Sequence, residues 1–167
     1  MKKNIVLIGM PGAGKSTVGV LLAKSLGMDF CDTDILIQRQ TGSTLQETIN
    51  SKGIEEFLKI ENSVLAGIEL ENTVIATGGS AVYGRQAMKN LSKNSIVIYL
   101  KIPVEIVKAR LHNISTRGIA LKNGDTIGSL FAERDPLYLK YSEITVESGN
   151  LDIEATVTKI IESLYGR

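Results

Sequence analysis

Apolar residues fall along this chain in two rhythms. Residues 5–8 and 96–100 are apolar throughout, the pattern of strands covered on both faces in a parallel sheet. Thr73–Ala76, Ile144–Glu147 and a short stretch at Asp29–Asp32 join Asn4–Ile8 and 95–100 as candidate strands. Between them apolar residues recur at helical spacing. Val18, Leu21, Leu22 and Leu26 lie on one stripe of 15–26, and Phe57, Ile60, Val64, Leu65 and Ile68 on one stripe of 54–70. Residues 104–111 and 152–164 repeat the pattern, with Pro103 expected just inside a helix start. Strands alternating with helices predict an α/β fold in three layers, with a five-stranded parallel sheet flanked by helices. Residues 113–125 have no period and contain Gly118 and Gly124; they read as a mobile loop, a lid at about 112–125.

At 167 residues, without repeats or a linker, the chain reads as one domain over 1–167, burying about 70 % of its unfolded surface. A net charge of +1 gives no global attraction for nucleic acid or acidic membranes. The N-terminal apolar run stops after four residues, far short of a signal core or a membrane span of roughly 20 residues. The single cysteine, Cys31, forms no internal disulfide and reads as a core thiol. The expectation is a cytoplasmic monomer with no nucleic-acid or membrane partner. The one histidine, His112, has no companion at a metal-ligand spacing.

Gly9-Met10-Pro11-Gly12-Ala13-Gly14-Lys15-Ser16 matches the phosphate-binding pattern G-x-x-x-x-G-K-[ST]. Its setting is as informative as the match, because an apolar strand ends at Ile8 and an amphipathic helix begins at Lys15. Glycines let backbone N–H groups turn toward phosphates, and the new helix adds its free amides. Gly9, Gly12, Ala13, Gly14, Lys15, Ser16 and Thr17 are therefore expected to bind ATP. Lys15 would reach the β- and γ-phosphates, and the Ser16 hydroxyl would ligate Mg²⁺. A GTPase would carry an N-K-x-D motif; Lys122-Asn123-Gly124-Asp125 only looks similar. A small-molecule kinase is the class that remains.

Further motifs follow in order: Asp32-Thr33-Asp34 after the second strand, Gly53 through Glu61, Gly78-Gly79 after the third strand, Arg117 in the polar loop, and Glu133-Arg134-Asp135-Pro136-Leu137-Tyr138. With the P-loop they resemble the shikimate kinase family over nearly the whole chain. That resemblance implies five parallel strands, an acceptor-binding helical region at about 33–61, a lid, and transfer of the ATP γ-phosphate to a ring hydroxyl of shikimate. It implies that Asp32 holds Mg²⁺ together with Ser16. Asp34 would contact and orient or deprotonate the acceptor hydroxyl, with Gly78, Gly79 and Arg134 also binding the acceptor. Arg117 would reach the γ-phosphate, and Arg110 would lie near the adenine. From the residues alone, Asp32 reads equally as a helix cap, Gly78-Gly79 as a plain turn, and Arg117 and Arg110 as solvated arginines. Arg134 suits bidentate capture of a carboxylate or, in the competing reading, a salt bridge to Glu133 or Glu143.

The departures concentrate on the acceptor side. Where the family has F-R-x-x-E, this chain has Phe57-Leu58-Lys59-Ile60-Glu61, so leucine stands where an arginine grips the shikimate carboxylate. Lys59 is rotated about 100° around the helix and points elsewhere. The third glycine of the family's G-G-G is Ser80, and the lid's R-P is Arg117-Gly118. Shikimate leads as the acceptor. The alternatives are another small hydroxylated, anionic acceptor, or a nucleotide-binding relative that no longer catalyses.

Overall fold

A computed structural model of the chain describes residues 2–111 and 118–166. His112 and Arg117 therefore lie outside the described residues. Five strands, β1 (Asn4–Ile8), β2 (Asp29–Asp32), β3 (Thr73–Ala76), β4 (Ser95–Lys101) and β5 (Ile144–Glu147), form one parallel sheet in the order β2-β3-β1-β4-β5. The fully apolar runs take the inner places, and every residue of β1 and β3 is buried. Edge strand β5 alternates buried and exposed. Asn4, the polar residue that opens β1, is buried; its amide donates to Leu70 O at 2.6 Å and accepts from the Thr73 amide at 3.0 Å.

Eight helices connect and cover the strands among the described residues: α1 (Lys15–Leu26), α2 (Thr33–Thr41), α3 (Leu45–Lys52), α4 (Ile54–Ala66), α5 (Arg85–Lys93), α6 (Val104–Arg110), α7 (Ile127–Tyr141) and α8 (Ile153–Tyr165). The chain steps one way along the sheet from β1 to β2 and the other way through β3, β4 and β5. Right-handed crossovers then place α1 on one face and α4, α5 and α7 on the other; α8 packs beside α1. The reversal falls at β1, so the crevice for ligands opens at its C-terminal end, where the P-loop begins.

Several sequence expectations need correction. The helix expected over 54–70 stops at Ala66, where Gly67 caps it. Pro103 is the residue before α6 rather than its first residue. Helices α5 and α7 are absent from the sequence reading, although Ala87, Met88 and Leu91 fall at helical spacing in α5. The first buries only those three residues; the second runs through Pro136, which interrupts the usual helical reading. None of the described helices is long and apolar enough to cross a membrane.

Candidate active site

The nucleotide side is built almost entirely from backbone. Gly14 caps α1 in the left-handed conformation (φ 88°) and offers no side-chain cap, so the first amides of the helix stay free for an anion. Lys15, buried, curls back and donates to Gly9 O at 2.7 Å and Met10 O at 2.8 Å. Burial lowers its pKa to about 8, partly offset by Asp34, so the ammonium is still charged at neutral pH. Ala13 is buried inside the loop, while Ser16 and Thr17 are exposed on the first turn of α1. Arg110, at the end of α6, donates to Gly12 O at 2.8 Å. It brackets the P-loop instead of standing free in solvent.

Asp32 does two jobs at once. One carboxylate oxygen caps α2 by accepting from the Asp34 amide at 3.0 Å, and the other accepts from the Ser16 hydroxyl at 2.7 Å. The two competing readings of Asp32 are compatible, since each uses a different oxygen. A hydroxyl and a carboxylate oxygen this close are hard donors fitted to Mg²⁺, which commonly takes one or two protein ligands and completes its shell with water and phosphate. No cluster of three or more His, Cys, Asp or Glu suited to a metal exists among the described residues.

A cavity of about 410 Å³ joins this region to the acceptor side, lined by Gly12, Lys15, Asp34, Glu61, Gly79 and Arg134 among others. Asp34, on the first turn of α2, has a pKa raised to about 6 by burial and by Asp32, with Lys15 opposing. It is mostly ionised at neutral pH and able to accept a proton. Arg134 on α7, which also lines the cavity, is 1 % exposed. Its Nε donates to Tyr83 OH at 3.2 Å and its Nη2 to Ala120 O at 3.0 Å. The salt bridge read as an alternative is not made: Glu133 accepts from the Tyr83 hydroxyl, and Glu143 pairs with Lys2. Nη1 is the arm turned toward Gly79; a Cβ there would stand 2.9 Å from it and 2.6 Å from Pro11 Cδ. Gly79 thus permits the P-loop and the acceptor arginine to meet across one glycine, and Tyr138 OH fixes that stretch by donating to Gly79 O at 2.6 Å. Tyr99 donates to Asp135 at 2.7 Å and packs on the Tyr138 ring, which pins α7 against β4.

Three features escaped the sequence reading. Glu61 is 2 % exposed and lines the cavity, in line with buried Phe57 and Leu65 on α4; it closes the Phe57–Glu61 stretch but was assigned no role in the sequence reading, and that motif position and its place on an apolar stripe were the available signals. Tyr83 and the Gly118–Ala120 stretch also reach the site, with Gly118 N bonded to Gln46 of α3 at 3.2 Å. Leu58 is not in the main cavity. It lines a neighbouring one of about 120 Å³ with Tyr83, Lys122 and Glu133, and only Ala120 borders both. Lys59 points outward and pairs with Glu56, as its helical rotation predicts.

The family model for shikimate kinase matches residues 11–165. The chain belongs to the shikimate kinase family. It is 35 % identical to the shikimate kinase of Vibrio vulnificus over 98 % of this chain and 96 % of that one, and 36 % identical to that of Tolumonas auensis over 98 % and 97 %. Its fold is similar to that of a solved shikimate kinase from Acinetobacter baumannii in complex with shikimate, with TM-score 0.88, 32 % identity, and 98 % and 93 % of the two chains covered. The Aquifex aeolicus shikimate kinase gives TM-score 0.82 at 34 % identity, covering 98 % and 96 %. A deoxyadenosine kinase from M. mycoides, at 19 % identity and TM-score 0.63 over 98 % of each chain, shares the fold alone. Family membership makes this chain a small-molecule kinase with a nucleotide-binding P-loop.

Proposed function

We propose that this kinase transfers the γ-phosphoryl group of ATP to a ring hydroxyl of shikimate, giving shikimate 3-phosphate. The reading is of a single kinase domain over 1–167, with a lid at about 112–125 and an acceptor region at about 33–61, acting as a cytoplasmic monomer. The observation that carries it is the shared cavity, whose lining includes Lys15 and the P-loop glycines, Asp34 and Arg134 together. Magnesium, when bound, neutralises charge on the phosphate oxygens during transfer.

The chain's own groups do the remaining work. Lys15 exchanges its Gly9 and Met10 carbonyl partners for the β- and γ-phosphates. Gly12, Ala13, Gly14 and Thr17 supply loop and helix amides, and Ser16 and Asp32 hold the metal. Arg110 flanks the loop on the adenine side. Asp34 accepts the proton of the attacking hydroxyl. Gly78 and Gly79 admit the ring, and Arg134 Nη1 meets the carboxylate. With Nε and Nη2 already engaged, Arg134 offers one arm rather than a fork. Arg117, outside the described residues, is assigned to the γ-phosphate by family resemblance.

A coupled ADP-release assay with millimolar shikimate tests this: shikimate-dependent turnover is expected, and its absence overturns the assignment. A second reading, another hydroxylated anionic acceptor, is favoured by Leu58, which brings no charge to the main cavity. A panel of hydroxy acids, sugars and nucleosides in the same assay decides between them; turnover with none of them would favour a non-catalytic relative.

A further inference from the structure

Arg134 is a buried cation that pairs with no carboxylate among the described residues. Its side-chain partner is instead a tyrosine. Tyr83 ends the short 3₁₀ turn Ala81–Tyr83, which directly follows Gly79 and Ser80. A phenol has one hydrogen to give, and Tyr83 gives it to Glu133 Oε1. With the hydrogen committed there, only oxygen lone pairs are left to face Arg134, and Arg134 Nε donates to that oxygen at 3.2 Å. The guanidinium also lies over the tyrosine ring, with Cζ 5.2 Å from its centre, within cation–π reach. Burial first, and the bond to Glu133 second, raise the Tyr83 pKa, so the hydroxyl keeps its proton at neutral pH. Tyr83 therefore clips together two consecutive residues of α7, one exposed and one buried. It lines the small cavity beside Leu58 and not the main one, so whatever it does for the acceptor passes through Arg134.

We infer that Tyr83 is the positioning residue for capture of the acceptor's carboxylate: with its hydroxyl oriented by Glu133, it holds Arg134 so that Nη1 faces the cavity. The inference rests on the acceptor reading above and deepens it. A guanidinium is planar, so fixing Nε on Tyr83 and Nη2 on Ala120 O fixes the direction of the third nitrogen. Leucine at 58 gives that direction its weight. No second cation from α4 shares the anion, so affinity for the carboxylate depends on how Arg134 alone is aimed. Glu133 is exposed, and its part is to settle which way the phenol hydrogen points.

Steady-state kinetics of the full chain test it with shikimate and with its neutral carboxamide. Tyr83→Phe keeps the ring and removes only the hydroxyl. It is expected to raise the shikimate KM about tenfold, with kcat and the ATP KM within about twofold. Glu133→Ala, a surface change, should raise the same KM about fivefold, whereas Glu133→Gln, which still accepts from the phenol, should stay within about twofold of the wild type. With the carboxamide, which offers Arg134 no anion, the penalty of Tyr83→Phe should shrink to less than about twofold. An unchanged shikimate KM in both Tyr83→Phe and Glu133→Ala overturns the inference. So does a loss spread over kcat and both KM values, the mark of a purely structural role, or an equal penalty with the carboxamide. The wild-type arm separates the two claims. Turnover of shikimate with normal variants overturns only this inference, whereas a wild type inactive with every anionic acceptor overturns both.

Discussion

The donor and acceptor halves of the site are built on opposite plans. On the donor side the functional side chains are already partnered: Lys15 with two loop carbonyls, Ser16 with Asp32, Arg110 with Gly12. On the acceptor side Asp34 and Glu61 each keep a buried oxygen without a partner. The first half rests on backbone carbonyls and amides of one contiguous loop, so its geometry is fixed by the fold. The second gathers side chains from α2, α4, the turn at Ala81–Tyr83 and α7, so it can change one residue at a time. Leu58 and Ser80 are changes of that kind.

The strongest break falls on the donor half. Lys15→Ala should lower turnover by about 10³-fold or more, since no other cation lies in the P-loop to stabilise charge on the moving phosphoryl group. Retained turnover in an ADP-release assay would contradict the donor assignment.

Next comes the seam between the halves. Gly79→Ala would push a methyl to 2.6 Å from the stiff Pro11 ring and 2.9 Å from Arg134 Nη1. Backbone must shift, and misplacement of about 1 Å in such a site costs on the order of 10²-fold in kcat/KM. An alanine variant with wild-type kinetics would show that the two halves are not held in register through this residue.

A smaller change should sharpen the acceptor half. Leu58→Arg introduces a guanidinium beside Ala120, the residue that borders both cavities. A recovered charge-assisted contact is worth about 1.4 kcal/mol or more, so the shikimate KM should fall about tenfold with the ATP KM unmoved. An unchanged or higher KM would mean that position 58 no longer addresses the acceptor.

The same contrast explains what was legible before the structure. The five strands and the P-loop are visible because each is a contiguous run with one physical cause: apolar on both faces, or glycines before a lysine and a helix. Asp34 and Arg134 could be named only through the family resemblance, since a lone carboxylate after a strand or a lone arginine has several uses. Glu61 was given no role because the stripe Phe57, Ile60, Val64, Leu65 and Ile68 counts apolar residues only, whereas the buried line of α4 runs Phe57, Glu61 and Leu65 with the carboxylate between two of them. Its convergence with Asp34 beside Gly78, where a Cβ would stand 2.8 Å from one carboxylate and 3.0 Å from the other, joins three elements distant in sequence, and no local pattern encodes that.

The finest test of the acceptor half is the pH dependence of stability. Burial first, and the nearby charge of Asp34 second, raise the Glu61 pKa from 4.5 to about 7, against the Ser80 hydrogen bond, Arg134 and Lys15. Between those values the native state holds a proton that the unfolded chain has released, so stability falls as pH rises through the window and levels off above about 7. Glutamine cannot ionise, and it can still accept from Ser80. Glu61→Gln should therefore match the wild type in urea unfolding at about pH 5, and exceed it at about pH 8 by on the order of 1–3 kcal/mol. Asp34, raised from 3.8 to about 6, leaves a weaker slope of the same sign in the variant. Parallel stability profiles for the two proteins would mean that Glu61 is solvated or paired, and the contrast between partnered donor side chains and unpartnered acceptor carboxylates would then fail at its most buried residue.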